Sequence, residues 1–117
     1  MSKEINLVRD FTDCPGGRYR AHGDFSGEQF REDLLRPALA GHNKVEIDMN
    51  HAFTVPPSFL GEAFGALVEE LGEAKFRSRV VVHLDDDPAA QWEFEEVIKK
   101  HSRKNRTLFG IGRREYA

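Results

Sequence analysis

The sequence predicts an α/β fold: a small mixed β-sheet of about five strands with three helices. Three patterns point to it. Lys44-Val45-Glu46-Ile47-Asp48-Met49 alternates polar and apolar side chains with period two, the mark of a strand with one buried face. Phe59, Leu60, Ala63, Phe64, Leu67, Val68 and Leu71 recur at helical spacing and form a continuous apolar stripe. Strand and helix signals also alternate through the second half of the chain, as they do in parallel α/β units.

Taken in order, Ile5 to Phe11 is rich in branched apolar residues and stops at the turn formers Thr12-Asp13-Cys14-Pro15-Gly16-Gly17, so it reads as a strand. Arg18-Tyr19-Arg20-Ala21 reads as a short second strand, making a hairpin closed by Gly23-Asp24. Ser26 and Gln29 have capping-box spacing, and Phe30, Leu34, Leu35 and Ala38 continue with helical period. Pro37 lacks an amide hydrogen, so this first helix is expected to kink there and stop by Gly41. After the strand 44–49 and a loop through Pro56-Pro57 comes the striped helix, stopped by Gly72. Phe76 to Leu84 reads as a further strand, and Asp87-Pro88 opens a helix to about His101. Thr107-Leu108-Phe109-Gly110-Ile111 reads as a terminal strand.

A chain of 117 residues, 39% hydrophobic and 32% charged, fits one domain with one core, expected to span 1–117 with a basic C-terminal segment, 99–117. The net charge of −3 hides an asymmetry. Residues 1–98 hold ten Lys/Arg against nineteen Asp/Glu, whereas residues 99–117 hold seven against one. An acidic body argues against nucleic acid as the main ligand, and only the basic segment could reverse that. No run approaches the roughly 20 apolar residues of a bilayer span, and the start Met1-Ser2-Lys3-Glu4 lacks a secretory stretch, so a cytoplasmic protein without membrane contact is expected. The single cysteine, Cys14, excludes an intrachain disulfide and a multi-cysteine zinc site.

Chemistry-bearing motifs are sparse. The chain has no phosphate loop of the GxxxxGK[ST] type, no GxGxxG, no HExxH and no GxSxG. No catalytic residue, metal or cofactor is therefore expected. Asp85-Asp86-Asp87 consists of neighbours that cannot easily face one ion, and it ends in a helix cap. Asp48, Asn50 and His51 fall at the C-terminal end of a strand, where α/β folds gather ligand groups, and form a weak pocket candidate. Trp92 lies opposite the stripe Phe94, Val97, Ile98, His101 and is expected to be partly exposed, over a sheet edge or as an interface anchor. Gly61, Gly65 and Gly72 share one flank of the striped helix, where a neighbouring element or a partner comes close.

The strand 44–49, the loop ending in Pro57-Ser58, the helix start Ser58-Phe59-Leu60-Gly61-Glu62-Ala63-Phe64-Gly65 and the stretch Phe25-Ser26-Gly27-Glu28-Gln29-Phe30-Arg31 together resemble STAS-type domains of the anti-sigma-factor-antagonist group. More specifically, they are similar to the STAS-like domain family of unknown function. The resemblance implies a non-enzymatic regulatory module of bacterial type that binds a protein partner, a histidine-kinase-type ATPase or an anti-sigma-like protein. In the antagonists, a serine at the strand-to-helix junction is phosphorylated; Ser58 takes that position here, and Leu60 that of the motif leucine. Pro56, Pro57 and Phe59 depart from the motif. The implied docking surface is Pro56, Pro57, Ser58, Phe59, Gly61, Glu62 and Gly65, with Ser58 as phosphorylation candidate. The simpler role for Ser58 is to cap the helix. A homodimer is a further expectation, and a nucleic-acid-associated regulator using the basic segment is the alternative class.

Overall fold

Strand β1, Ser2–Asn6, stops where its own last side chain turns the backbone: Asn6 Oδ1 accepts the Arg9 N–H at 2.9 Å, and Asp10 accepts the Asn6 N–H at 2.8 Å. The chain is thereby committed to one helical turn, α1 (Leu7–Asp10), which buries Leu7. The computed structural model of the chain describes the backbone of residues 2–106 and the side chains as far as Arg103. Beyond a 3₁₀ turn at Arg20–His22, a helical rod α2 covers 27–41, α-helical over Gly27–Phe30, widened to a π turn over Arg31–Leu35, and α-helical again over Arg36–Gly41. Then come β2 (Lys44–Asp48), α3 (Pro57–Leu71), α4 (Glu73–Arg79), β3 (Val80–His83) and α5 (Pro88–Arg106).

The three strands form one sheet in the order β1-β2-β3, and both pairings are parallel. Their register places Ile5 beside Ile47 and Val82 on one face, with Glu4, Glu46 and Val81 on the other. Each crossover steps the same way across the sheet, and right-handed crossovers then carry their helices to the same face. The core lies between that face and the helices, and Phe30, Phe59, Phe64 and Phe76 are fully buried in it. The other face has no helical cover among the described residues. It bears Glu4, Asn6, Glu46, Asp48 and His83.

Several expectations from the sequence are corrected. Among the described residues the sheet has three strands rather than five and is wholly parallel rather than mixed, and there are five helices rather than three. The hairpin does not form. The Gly17 and Arg18 carbonyls accept the amides of Gly27 and Glu28 at 3.0 and 2.9 Å, so this loop serves the start of α2 instead of a ladder. Phe76 lies in α4, because Gly72, at φ 84°, ends α3 and lets a new helix begin at once, leaving a strand of only four residues. The strand expected at Thr107 to Ile111 lies outside the described residues. Ser26 does cap α2, accepting the Gln29 N–H at 3.1 Å while Gln29 accepts the Phe25 N–H at 2.8 Å. That helix runs on through Pro37, the π turn relieving the crowding a proline ring imposes on the preceding turn.

Candidate functional site

Helix α3 begins in an unusual way. Val55 is buried and anchors the loop, Pro56 occupies the cap position in an extended conformation, and Pro57 is the first helical residue. A proline has no side chain that can bond the free amides, and no side-chain cap exists here. Ser58 is the second helical residue, half-buried, and its hydroxyl makes no hydrogen bond among the described residues. The expected capping role for Ser58 is thus corrected, because it lies one position too far into the helix. Pro57 is exposed, while Pro56, Gly61 and Glu62 are half-buried.

Phe59 and Gly65 do not belong to this surface. Phe59 is fully buried against Phe30, and Gly65 is covered by the ring of His101 from α5, so close that an added Cβ would lie 2.6 Å from Nε2. His101 Nδ1 in turn bonds the Glu69 carboxylate. The close approach expected along the glycine flank is therefore made at Gly65 by the chain's own last helix. At Gly61 it is made by Arg18, whose Nη1 would sit 3.2 Å from a Cβ there. Arg18 is exposed and has no ion-pair partner among the described residues. Reading the sequence overlooked it, because a residue assigned to a hairpin carries no sign of standing beside a helix forty residues on.

Glu62 is already engaged. Arg31, 8% exposed, donates from Nη1 to the Glu62 carbonyl and, at 3.0 Å, to its carboxylate, while its Nε donates to Glu32 at 2.8 Å. Arg31 and Arg36 together hold the Glu32 carboxyl below its ordinary range. This buried cation fixes α2 against α3 one turn beyond Ser58. No sequence motif announced it, since an arginine next to a glutamate on a helix normally faces solvent.

The structure disperses the second candidate group. Asp48 accepts the Asn50 N–H at 2.9 Å, Asn50 Nδ2 donates to Asp85 at 3.2 Å, and Asp86 accepts the His51 N–H at 2.8 Å. These contacts staple the loops after β2 and β3. The His51 ring is exposed, and its backbone sits at φ 72°. Asp48 instead lines a cleft of about 170 Å³ on the open sheet face with Glu4, Asn6, Arg9, Glu46 and His83. There His83 Nε2 lies 3.2 Å from Glu46, and Arg9 is bound to Asp10 at 2.8 Å. The Arg9 guanidinium and the Asn6 amide draw the Asp10 carboxyl down to about 2. Among the described residues, no nucleophile stands beside His83 in this cleft.

Asp87 caps α5, accepting the Ala90 N–H at 3.0 Å. No group of three or more His, Cys, Asp or Glu among the described residues is arranged to hold a metal ion. Trp92 is 61% exposed and Phe53 83%. Cys14 is exposed in its turn. Of the basic segment, Lys99, Lys100 and Arg103 are exposed on α5, and Lys99 reaches Glu96 at 3.5 Å. No helix among the described residues is long and apolar enough to cross a membrane.

Neither a curated protein nor a solved structure matches the chain significantly. A family does, over residues 26–88, from the Ser26 cap through β2, the Pro56-Pro57 junction, α3 and β3 to the first residue of α5. That match takes in more than half of the chain, which belongs to the family described as the STAS-like domain of unknown function (DUF4325).

Proposed function

We propose that the chain is a regulatory protein-interaction module without chemistry of its own, and that it docks its partner on the exposed start of α3. The surface is Pro56, Pro57, Ser58 and Gly61, with Arg18 laid over Gly61; Phe59 is buried beneath it, Gly65 is covered by His101 and lies outside it, and Glu62 is held by Arg31. One observation carries this reading. The helix starts without a side-chain cap, and inside that uncapped turn stands a serine hydroxyl with no partner among the described residues.

A phosphoryl group on Ser58 would add nearly two negative charges at the positive end of a fifteen-residue helix. The free amides and the Arg18 guanidinium, without an ion-pair partner among the described residues, suit such a charge, so the monomer would keep its fold while its docking surface changed sign. In keeping with the family resemblance, the partner is a histidine-kinase-type ATPase or an anti-sigma-like protein.

A photo-crosslinking amino acid at position 57 tests the surface, with one at position 92 as the comparison. We expect capture of one partner from position 57, lost on Ser58→Asp and kept on Ser58→Ala, with a Ser58 phosphopeptide in the purified native protein. Capture from position 92 alone would refute the surface. Undiminished binding by Ser58→Asp, with no phosphopeptide, would refute the switch and leave the surface standing.

A further inference from the structure

Parallel sheets are normally covered on both faces. Among the described residues this one is covered by helices on a single face, and its open face carries charge. The register sets Glu4 beside Glu46, and Asp48 between Asn6 and His83, all on the side away from the core. Like charges side by side on neighbouring strands repel, so Glu4 and Glu46 lower the stability of the free chain. Glu4 is exposed and has no hydrogen bond or ion pair among the described residues.

The cations nearby do not offset these acids. Arg9 stands close enough to feel Glu4, but its guanidinium is bonded to Asp10 at 2.8 and 3.0 Å. Lys44 begins β2 and does not line the cleft, and His83 Nε2 lies 3.2 Å from Glu46. Over the helical layer, by contrast, carboxylates are matched by arginines: Asp33 by Arg20, Glu62 by Arg31, Glu70 by Arg36 and Glu95 by Arg77. The open face is left with an opening of about 170 Å³ that has Glu4, Glu46 and Asp48 on its walls.

We infer that the open face of the sheet is a second docking surface, and that its occupant is an arginine-bearing segment of a protein partner, one guanidinium seated in the cleft between Glu4, Glu46 and Asp48. Charge complementarity selects a cation. The distribution of the acids over neighbouring strands selects arginine over lysine: a guanidinium forks onto one carboxylate and keeps further N–H groups for the next, whereas an ammonium is a point charge. This surface goes beyond the start of α3 and does not depend on the Ser58 reading.

The probe is a hexa-arginine peptide titrated into the isotope-labelled full chain, with hexa-lysine beside it. Amide shifts should concentrate in residues 3–6, 46–48 and 81–83, and hexa-arginine should bind at least about threefold more tightly than hexa-lysine. Glu4→Gln with Glu46→Gln should weaken binding about tenfold, whereas the charge-matched Asp24→Asn with Glu93→Gln should change it less than about twofold. Glu4→Gln alone should leave the urea midpoint unchanged or higher, because it relieves repulsion. Shifts spread evenly over the chain, or equal losses in the two double variants, would mean diffuse charge attraction and overturn the inference. Equal binding of hexa-lysine overturns the choice of arginine, and a lower midpoint in Glu4→Gln overturns the repulsion on which the site rests. In the full chain, Arg113→Glu with Arg114→Glu should leave hexa-arginine binding within about twofold; a gain of about tenfold would show that the chain's own C-terminal segment competes for the face, and would overturn the partner as its occupant.

Discussion

The helical layer and the loop end of this domain are held together by different physics. In the layer, glycines let elements close up: Gly27 crosses α3 so closely that a Cβ would lie 2.7 Å from the Phe59 carbonyl oxygen, and Gly65 lies under the His101 ring. At the loop end, the segments after β2 and β3 are tied by hydrogen bonds among Asn50, His51, Asp85 and Asp86, and Phe25 and His51 adopt positive φ. Close packing gives a rigid platform with one solution. Polar staples hold loops near the α3 junction while leaving their surfaces in water. Under the proposed function, the loop end would read the partner and the layer would support it.

Breaking the layer should cost most. Gly27→Ala places a methyl group against backbone atoms that cannot turn aside, and we expect a loss of about 3 kcal/mol in urea unfolding. A loss below about 1 kcal/mol would mean that the crossing is looser than described. Gly65→Ala meets a side chain instead, so it should cost about 1 kcal/mol in the native protein and become neutral or stabilising in a His101→Ala background, where alanine's helix propensity is felt. A double-mutant cycle measures this coupling; strictly additive effects would separate the two residues.

The loop end should respond more gently. Asn50→Ala removes the Asn50–Asp85 and Asp86–Asn50 hydrogen bonds and should cost about 1 kcal/mol, with faster amide exchange confined to residues 49–56 and 84–87. Acid gives the smallest effect. Asp10 titrates near 2 in the folded chain against an ordinary 3.8, so its contribution is present above about pH 4 and is lost as pH falls from 3.8 towards 2. Glu32 and Glu70, also held low by arginines, have the same sign below their ordinary 4.5. These groups are largely at the surface, so the urea midpoint should slip only slightly between pH 5 and 3. A midpoint that rises in that range would contradict the assignment.

How much of the site was legible follows the same division. Ser26 and Gln29 announced a helix start, and the Pro56-Pro57-Ser58 junction announced the next, because caps and prolines act on backbone within four residues. Phe59 was read in two ways, by its spacing as part of the apolar stripe and by the family resemblance as part of the docking surface; its packing against Phe30 from another helix sets it in the core. Arg18 beside Gly61 and Arg31 on Glu62 left no trace in spacing, since contacts across 30 to 40 residues obey no local period.

By itself, the sequence determined the alternation of strand and helix, the stripe of α3, the stops at Gly41 and Gly72 and the family, all of which rest on periodicity and on residues with restricted backbone freedom. Only the tertiary structure decided that β1 pairs with β2 rather than folding back as a hairpin, that the residues around Phe76 coil before β3 begins, and that His101 closes over Gly65. The reason is physical. An apolar segment such as Ile5-Asn6-Leu7 satisfies strand and helix about equally well, and the choice falls to partners that come near only once the chain has folded.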